Sequence, residues 1–209
     1  MIYLIGGPPR CGKTTLAKNL SKKLGIPWIS SDTLEVVAGE YMTQAEWDET
    51  HPYSIAHTSN NAFYAEFSAK EIIDLIKAQS LATQPAVAMT ALCAFKDQMD
   101  YIIEGYHITP KFAAKLIKQY GQDNIKAVFL IKTNAEKLTV DATQNPVAND
   151  WLNKKGTTPE TVARVAQMIA TFSLYSQKEA DKYRLPVFSL DVSFTKNIAE
   201  IVKRFGGKK

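Results

Sequence analysis

The segment Gly7-Pro8-Pro9-Arg10-Cys11-Gly12-Lys13-Thr14 constrains this chain most, because it fits G-x-x-x-x-G-K-[ST] at every fixed position. A continuous apolar run, Ile2 to Ile5, precedes it, and Leu16, Leu20 and Leu24 follow at four-residue spacing before Gly25. The run predicts a buried parallel strand, and the stripe predicts a helix that a glycine ends. A strand that turns into a helix through such a loop can point successive backbone N–H groups inward. The helix start adds unpaired amides and the positive end of its dipole. Phosphate oxygens suit both. Lys13 can reach the β- and γ-phosphates, and the Thr14 hydroxyl can ligate Mg2+. Gly7, Pro8, Pro9, Arg10, Cys11, Gly12, Lys13, Thr14 and Thr15 are therefore the candidate residues for binding ATP with Mg2+. Arg10 either touches phosphate or acceptor or stands solvated at the loop tip, and Cys11 reads as a small spacer.

Downstream, apolar strands alternate with helical patterns. Pro27 to Ser30 reads as a second strand, after which Ser31 or Asp32 caps a helix. Residues 40–58 are polar and aromatic without a period. Asn60 to Ala78 predicts a helix with Phe63, Phe67 and Ile72 to Ile76 buried, and a further helix runs from about Leu81 to Gln98 with Pro85 in its first turn. Tyr101 to Ile103 is a third strand, Ile125 to Ile131 a fourth and Pro186 to Leu190 a fifth. Pro110 opens one helix. Val162, Val165, Ile169 and Phe172 mark a long one, and Ile198, Ile201, Val202 and Phe205 mark a terminal one. A polar stretch around Gln144 to Pro159 includes Asn145-Pro146 and Lys155-Gly156. This alternation predicts an α/β fold with a parallel sheet. Such sheets bind ligands at the carboxyl ends of their strands.

Two carboxylates should reach that edge. Asp32 follows the second strand, where it is either a helix cap or a group that accepts an acceptor hydroxyl's proton or holds Mg2+ through water. Glu104 ends the third strand before Gly105, where it either serves Mg2+ or a substrate hydroxyl or forms a strand-end ion pair. His107 reads as a packed or surface histidine rather than a substrate contact. His57, Asn60, Asn61 and Tyr64 form either an acceptor pocket or a hydrogen-bonded helix start.

A net charge of +4 carried mostly by lysine, with no basic segment interleaved with aromatics, indicates no nucleic-acid groove. No apolar stretch approaches the roughly 20 residues of a membrane span, and the N-terminal apolar run is too short for a signal peptide. Cys11 and Cys93 make no disulfide framework, which suits a reducing cytoplasm. No linker divides residues 1–209, so one domain is expected.

Gly7 to Thr14, Ile29-Ser30-Ser31-Asp32-Thr33 and Tyr101-Ile102-Ile103-Glu104-Gly105 together resemble the P-loop small-molecule kinases of the nucleoside-monophosphate-kinase-like fold. That group includes shikimate, gluconate and adenylate kinases, 2-phosphoglycerate-kinase-like proteins and zeta-toxin-type kinases. The resemblance implies a three-layer fold with five parallel strands in order 2-3-1-4-5. It implies an acceptor-binding region at about 40–98 and a lid at about 134–160. It also implies transfer of the ATP γ-phosphate to a small hydroxylated acceptor, with Asp32 at the acceptor hydroxyl. Nucleotide kinases clamp phosphates with several lid arginines, whereas only Arg164 and Arg184 lie between Gly105 and Leu190. That scarcity favours a sugar, acid or alcohol. Arg164 is the candidate transition-state arginine, and Lys132, Lys137, Lys154 and Lys155 are lesser candidates. Lys13, Asp32, Arg164 and Glu104 are thus the catalytic candidates, with Thr14 and Glu104 for the metal. A monomer or homodimer is expected. The rival reading is an ATPase or GTPase switch without a metabolite acceptor, although no N-K-x-D guanine signature is present.

Overall fold

The computed structural model describes residues 1–144, 151–153 and 156–205. β1 (Ile2–Gly6) lies at the centre of a parallel sheet of order β2-β3-β1-β4-β5. Its neighbours are β2 (Trp28–Ser30), β3 (Tyr101–Glu104), β4 (Ile125–Ile131) and β5 (Val187–Ser189). Both faces are covered, and for that reason β1 and β4 from Ala127 on read as apolar runs. Tyr3, Ile5, Ile102, Val128 and Leu130 face one core. That side is filled by α1 (Lys13–Leu24), α9 (Pro159–Lys182), α10 (Phe194–Phe205) and the first half of α6 (Ala69–Lys96). Ile2, Leu4, Ile103, Ala127 and Phe129 face the other core, against the second half of α6 and α7 (Pro110–Tyr120). The result is the three-layer arrangement and strand order that the resemblance implies.

The register decides what converges. Glu104 pairs with Ile5 on one side and Ser30 on the other. The loop after β1, the start of α2 (Ser31–Gly39) and the end of β3 therefore share one edge.

Three sequence expectations need correcting. The N-cap of α2 is Ser30, not Ser31 or Asp32. Ser30 is extended (φ −81°, ψ 141°), and its hydroxyl accepts from the Asp32 amide at 3.1 Å. Residues 40–58 are not irregular. They form α3 (Gln44–Thr50), opened by a Thr43–Glu46 capping box, and α4 (Pro52–Ala56), opened by proline. The helical break lies at Phe67-Ser68, between α5 (Asn60–Glu66) and α6, rather than near residue 80. A second capping box sets it: the Ser68 hydroxyl accepts from the Glu71 amide, and Glu71 accepts from the Ser68 amide at 2.9 Å. Pro85 then lies inside a 28-residue helix. An interior proline costs about 3 kcal/mol; the buried contacts of Val87 and Ala91 against the sheet offset it. Asn145-Pro146, Lys154, Lys155 and the tail from Gly206 lie outside the described residues. Among those described, no helix is long and apolar enough to cross a membrane.

Asp191, just beyond β5, ties that strand to the start of α8 (Ala135–Gln144). It accepts from the Thr133 amide at 3.0 Å, the Thr133 hydroxyl at 2.9 Å, the Asn134 amide at 3.1 Å and the Ser189 hydroxyl at 2.9 Å. Burial pushes its carboxyl up, but the Thr133 and Asn134 amides outweigh that and leave it below its ordinary 3.8. An acid depressed in the fold contributes stability above its unfolded value and loses it as pH falls through the folded value. Asp191→Asn should therefore be less stable than wild type at neutral pH. The gap between the two melting curves should begin to close as pH falls toward the ordinary 3.8 and go on closing through the lower folded value, below which Asp191 is protonated in both states.

Candidate phosphate-binding and acceptor site

The loop after β1 is shaped by steric exclusion. Gly7 has φ 130°, and a Cβ there would sit 2.1 Å from the Leu130 carbonyl oxygen. Gly12 caps α1 in the left-handed region (φ 84°) without any side-chain hydrogen bond, so the first amides of α1 are not closed off by a capping group. Lys13 is buried, and its Nζ donates to the Pro8 carbonyl at 2.7 Å across the loop. Cys11 is fully buried, with Sγ 3.9 Å from Ser173 Oγ on α9, and burial pushes its thiol up. It packs the loop onto the core as a spacer.

Glu104 is 3% exposed and accepts from the Thr14 hydroxyl at 2.8 Å. Burial pushes its carboxyl up, the Lys13 charge and the Thr14 hydroxyl pull it down, and the Asp32 charge adds to the rise. Asp32, one residue into α2, is 64% exposed. Its backbone is held by Ser30.

One cavity of about 460 Å³ joins these groups. Pro9, Arg10, Lys13 and Thr14 line it from the loop, Asp32 and Glu104 from the strand ends, and Tyr53, His57, Asn60, Tyr106 and Trp151 from the far side. Arg10 stands on the rim with φ 59°. Tyr106 has its phenol pushed well up by burial and then by the Glu35 and Asp32 charges, so it stays a neutral hydroxyl. His57 sits within an aromatic cluster: its ring centroid is 4.8 Å from Phe63, 5.4 Å from Tyr53 and 6.5 Å from Trp151.

Asn60 and Asn61 have a second task. Asn60 Nδ2 donates to the Trp151 carbonyl at 3.0 Å and to Thr157 Oγ1 at 3.3 Å. Asn61 Nδ2 donates to the Gly156 carbonyl at 2.7 Å, and its Oδ1 accepts from the Thr158 amide at 3.1 Å and Thr161 Oγ1 at 2.8 Å. The first turn of α5 thus anchors the segments on either side of residues 154–155. Tyr64 is a core residue and lies outside the cavity lining.

The structure does not bring every candidate to this cavity. Arg164 Nη1 donates to the Tyr64 and Ala65 carbonyls at 3.2 and 3.4 Å, so its guanidinium satisfies the end of α5 instead of facing the phosphate loop. Lys132 lies 4.0 Å from Asp141 and over the Phe194 ring. Tyr53 and Trp151 were missed by sequence reasoning. The available signals were Pro52 at a helix start and a lone tryptophan in a polar stretch.

Comparisons with known proteins agree with the fold. Residues 3–100 match the family described as ATPase family associated with various cellular activities (AAA). The fold is similar to shikimate kinase from Bacteroides thetaiotaomicron, with a TM-score of 0.54 at 16% identity, over 98% of this chain and 96% of that one. It is also similar to an uncharacterised protein from Eubacterium ventriosum (0.53, 14%, 100% and 99%) and a sugar kinase from Janibacter (0.52, 11%, 97% and 92%). The chain has the P-loop NTPase fold. Solved small-molecule kinases share that fold. Among curated proteins no sequence matches.

The donor set fits a magnesium nucleotide. No three histidine, cysteine or carboxylate groups gather into a metal cage among the described residues. Mg2+ does not need one, since it keeps several waters and is bound through one or two protein oxygens plus phosphates. The Thr14 hydroxyl and the Glu104 carboxylate beside it supply such oxygens.

Asn61→Ala removes three hydrogen bonds that hold residues 156–161. The Thr158 amide should exchange with solvent at least about tenfold faster while the amides of β1 and β4 stay protected. Unchanged protection at Thr158 would show that Asn61 is not the anchor.

Proposed function

We propose that this protein is an ATP-dependent phosphotransferase that moves the γ-phosphoryl group to a hydroxyl of a small metabolite, a sugar, acid or alcohol. The observation that carries this reading is the shared cavity: the phosphate loop, two carboxylates and an aromatic, hydrogen-bonding wall face the same space. Its size falls in the range of small-ligand sites. Arg10 is the one arginine lining it among the described residues. A second phosphate chain would call for several planar guanidinium forks, so an acceptor without phosphates suits the wall better.

In this reading residues 40–98 supply the acceptor side, residues 134–160 form the lid, and the chain works as a single soluble domain of the cytoplasm, monomeric or dimeric. The loop amides and Lys13 hold the triphosphate and offset the charge that spreads over the transferred group. Thr14 and Glu104 would hold Mg2+, which when bound would supply positive charge against the phosphates. Asp32 orients the acceptor hydroxyl and takes its proton as the new O–P bond forms and the bond from the γ-phosphorus to the β-phosphate oxygen breaks, releasing ADP. Trp151 and the Asn60–Asn61 anchors keep water from the reacting phosphorus.

The match of residues 3–100 to an ATPase family favours a second reading, nucleotide hydrolysis without a metabolite acceptor. A panel of hydroxylated metabolites separates the two, because a kinase releases ADP far faster with its acceptor than without. If no metabolite raises ADP release above hydrolysis alone, the second reading stands. Lys13→Ala should abolish transfer and weaken ATP binding. Asp32→Asn should leave ATP affinity nearly unchanged while lowering kcat by about 10²–10⁴-fold, the scale of a lost acid–base group.

A further inference from the structure

His107 follows β3 in the turn that leads to α7, and its ring is fully buried at 0% exposure. Both ring nitrogens are engaged: Nδ1 lies 2.7 Å from Ser31 Oγ, and Nε2 lies 3.1 Å from Glu35 Oε1. Ser31 and Glu35 are i and i+4 on α2, so they stand one above the other on one face. A single imidazole therefore spans the first turn of α2. Asp32 belongs to that turn, with Oδ1 3.7 Å from His107 Nδ1.

Glu35 is itself held in place. It is 12% exposed and accepts from Gln79 Nε2 at 2.8 Å and Thr83 Oγ1 at 3.4 Å, both on α6. His51 Nε2 lies 3.8 Å away. Gln79 in turn accepts from the Ser54 amide of α4 at 2.9 Å. Burial pushes the Glu35 carboxyl up, but His107, then Gln79 and His51, leave it below the ordinary carboxylate value. An ionised carboxylate only accepts, so Nε2 of His107 carries a proton toward Glu35, and Nδ1 pairs with the Ser31 hydroxyl. Gly105 closes the arrangement from the other side, because a Cβ there would meet Ser31 Oγ at 1.7 Å. None of His107, Glu35 or Ser31 lines the cavity.

We propose that His107 is a positioning residue for Asp32: by bridging Ser31 and Glu35 it fixes the first turn of α2, so that the Asp32 carboxylate meets the acceptor hydroxyl in one orientation. The inference rests on the phosphotransfer reading of Asp32. An exposed aspartate has freedom of its own, and a misplacement of about 1 Å can cost about 10²-fold in rate. The buried imidazole removes the part of that freedom that comes from the backbone. Through Gln79 and Ser54 the same network reaches the helices that present Tyr53.

The test compares His107→Ala, His107→Asn and Glu35→Gln. Asparagine keeps a polar group near the Nδ1 position and so retains the Ser31 link; glutamine removes the charge of Glu35 but keeps its shape. In His107→Ala, kcat should fall about 10–100-fold with the KM for ATP within about twofold, and His107→Asn should recover part of the loss. The Glu35→Gln/His107→Ala double variant should be no slower than His107→Ala alone, because both changes act on one linkage, the first by replacing a charged acceptor with a weaker neutral one. A loss of kcat that appears only with loss of melting temperature and ATP affinity, unrelieved by asparagine, overturns the proposal. So do losses that multiply in the double variant. If His107→Ala does not fold, Glu35→Gln alone decides: an unchanged kcat overturns the proposal.

A readout independent of turnover separates this inference from the reading beneath it. The carboxyl carbon resonance of Asp32 should shift or broaden in Glu35→Gln and His107→Ala. If that resonance is indifferent, the positioning role is wrong whatever the activity. If it moves while wild type transfers phosphate to no acceptor, only the phosphotransfer reading fails.

Discussion

A buried carboxylate ties the site together. Glu104 pairs in register with both β1 and β2, sits almost out of solvent and takes a hydrogen bond from Thr14 at the first turn of α1. Burying a charge is unfavourable unless partners compensate. The partners here are Lys13 and Thr14 from the phosphate loop, and the Asp32 charge works against them. The carboxylate can therefore keep its charge only where the loop brings its lysine and threonine close. Loop and strand ends form one rigid edge, and the cavity opens from it.

The other half of the cavity is built differently. Among the described residues no strand lines it. Short helices, α4 opened by proline and α5 by the Ser59 hydroxyl, present Tyr53, His57 and Asn60, and α5 anchors the segments around Trp151. Aromatic rings packed edge to face around His57 give this wall its shape. It combines aromatic faces with hydrogen-bonding groups. The rigid edge and this softer wall meet through α2, whose Asp32 faces the cavity and whose Glu35 faces α6.

Much of the fold was legible because its signals are local. The apolar runs of β1 and β4 reflect burial on both faces, and the leucine stripe of α1 reflects a single buried face. The phosphate loop was legible because glycine, lysine and threonine at fixed spacing answer a backbone requirement. Local rules also misled. Pro85 reads as a helix start, yet packing on both sides of it carries one helix through. The real start, the Ser68–Glu71 capping box, is a local signal that was present and overlooked. Arg164 looked catalytic because arginines are scarce, but nothing in its neighbourhood announces that carbonyls of α5, a hundred residues earlier, would take its guanidinium.

By itself the sequence determined the parallel sheet, its strand order through resemblance, and the loop that suits phosphate, since periodicity and backbone chemistry are written in neighbouring residues. Tertiary structure alone decided which side chains share the cavity and that His107 joins Ser31 to Glu35. Those contacts join residues far apart in the chain, and side-chain packing selects among partners that no local pattern distinguishes.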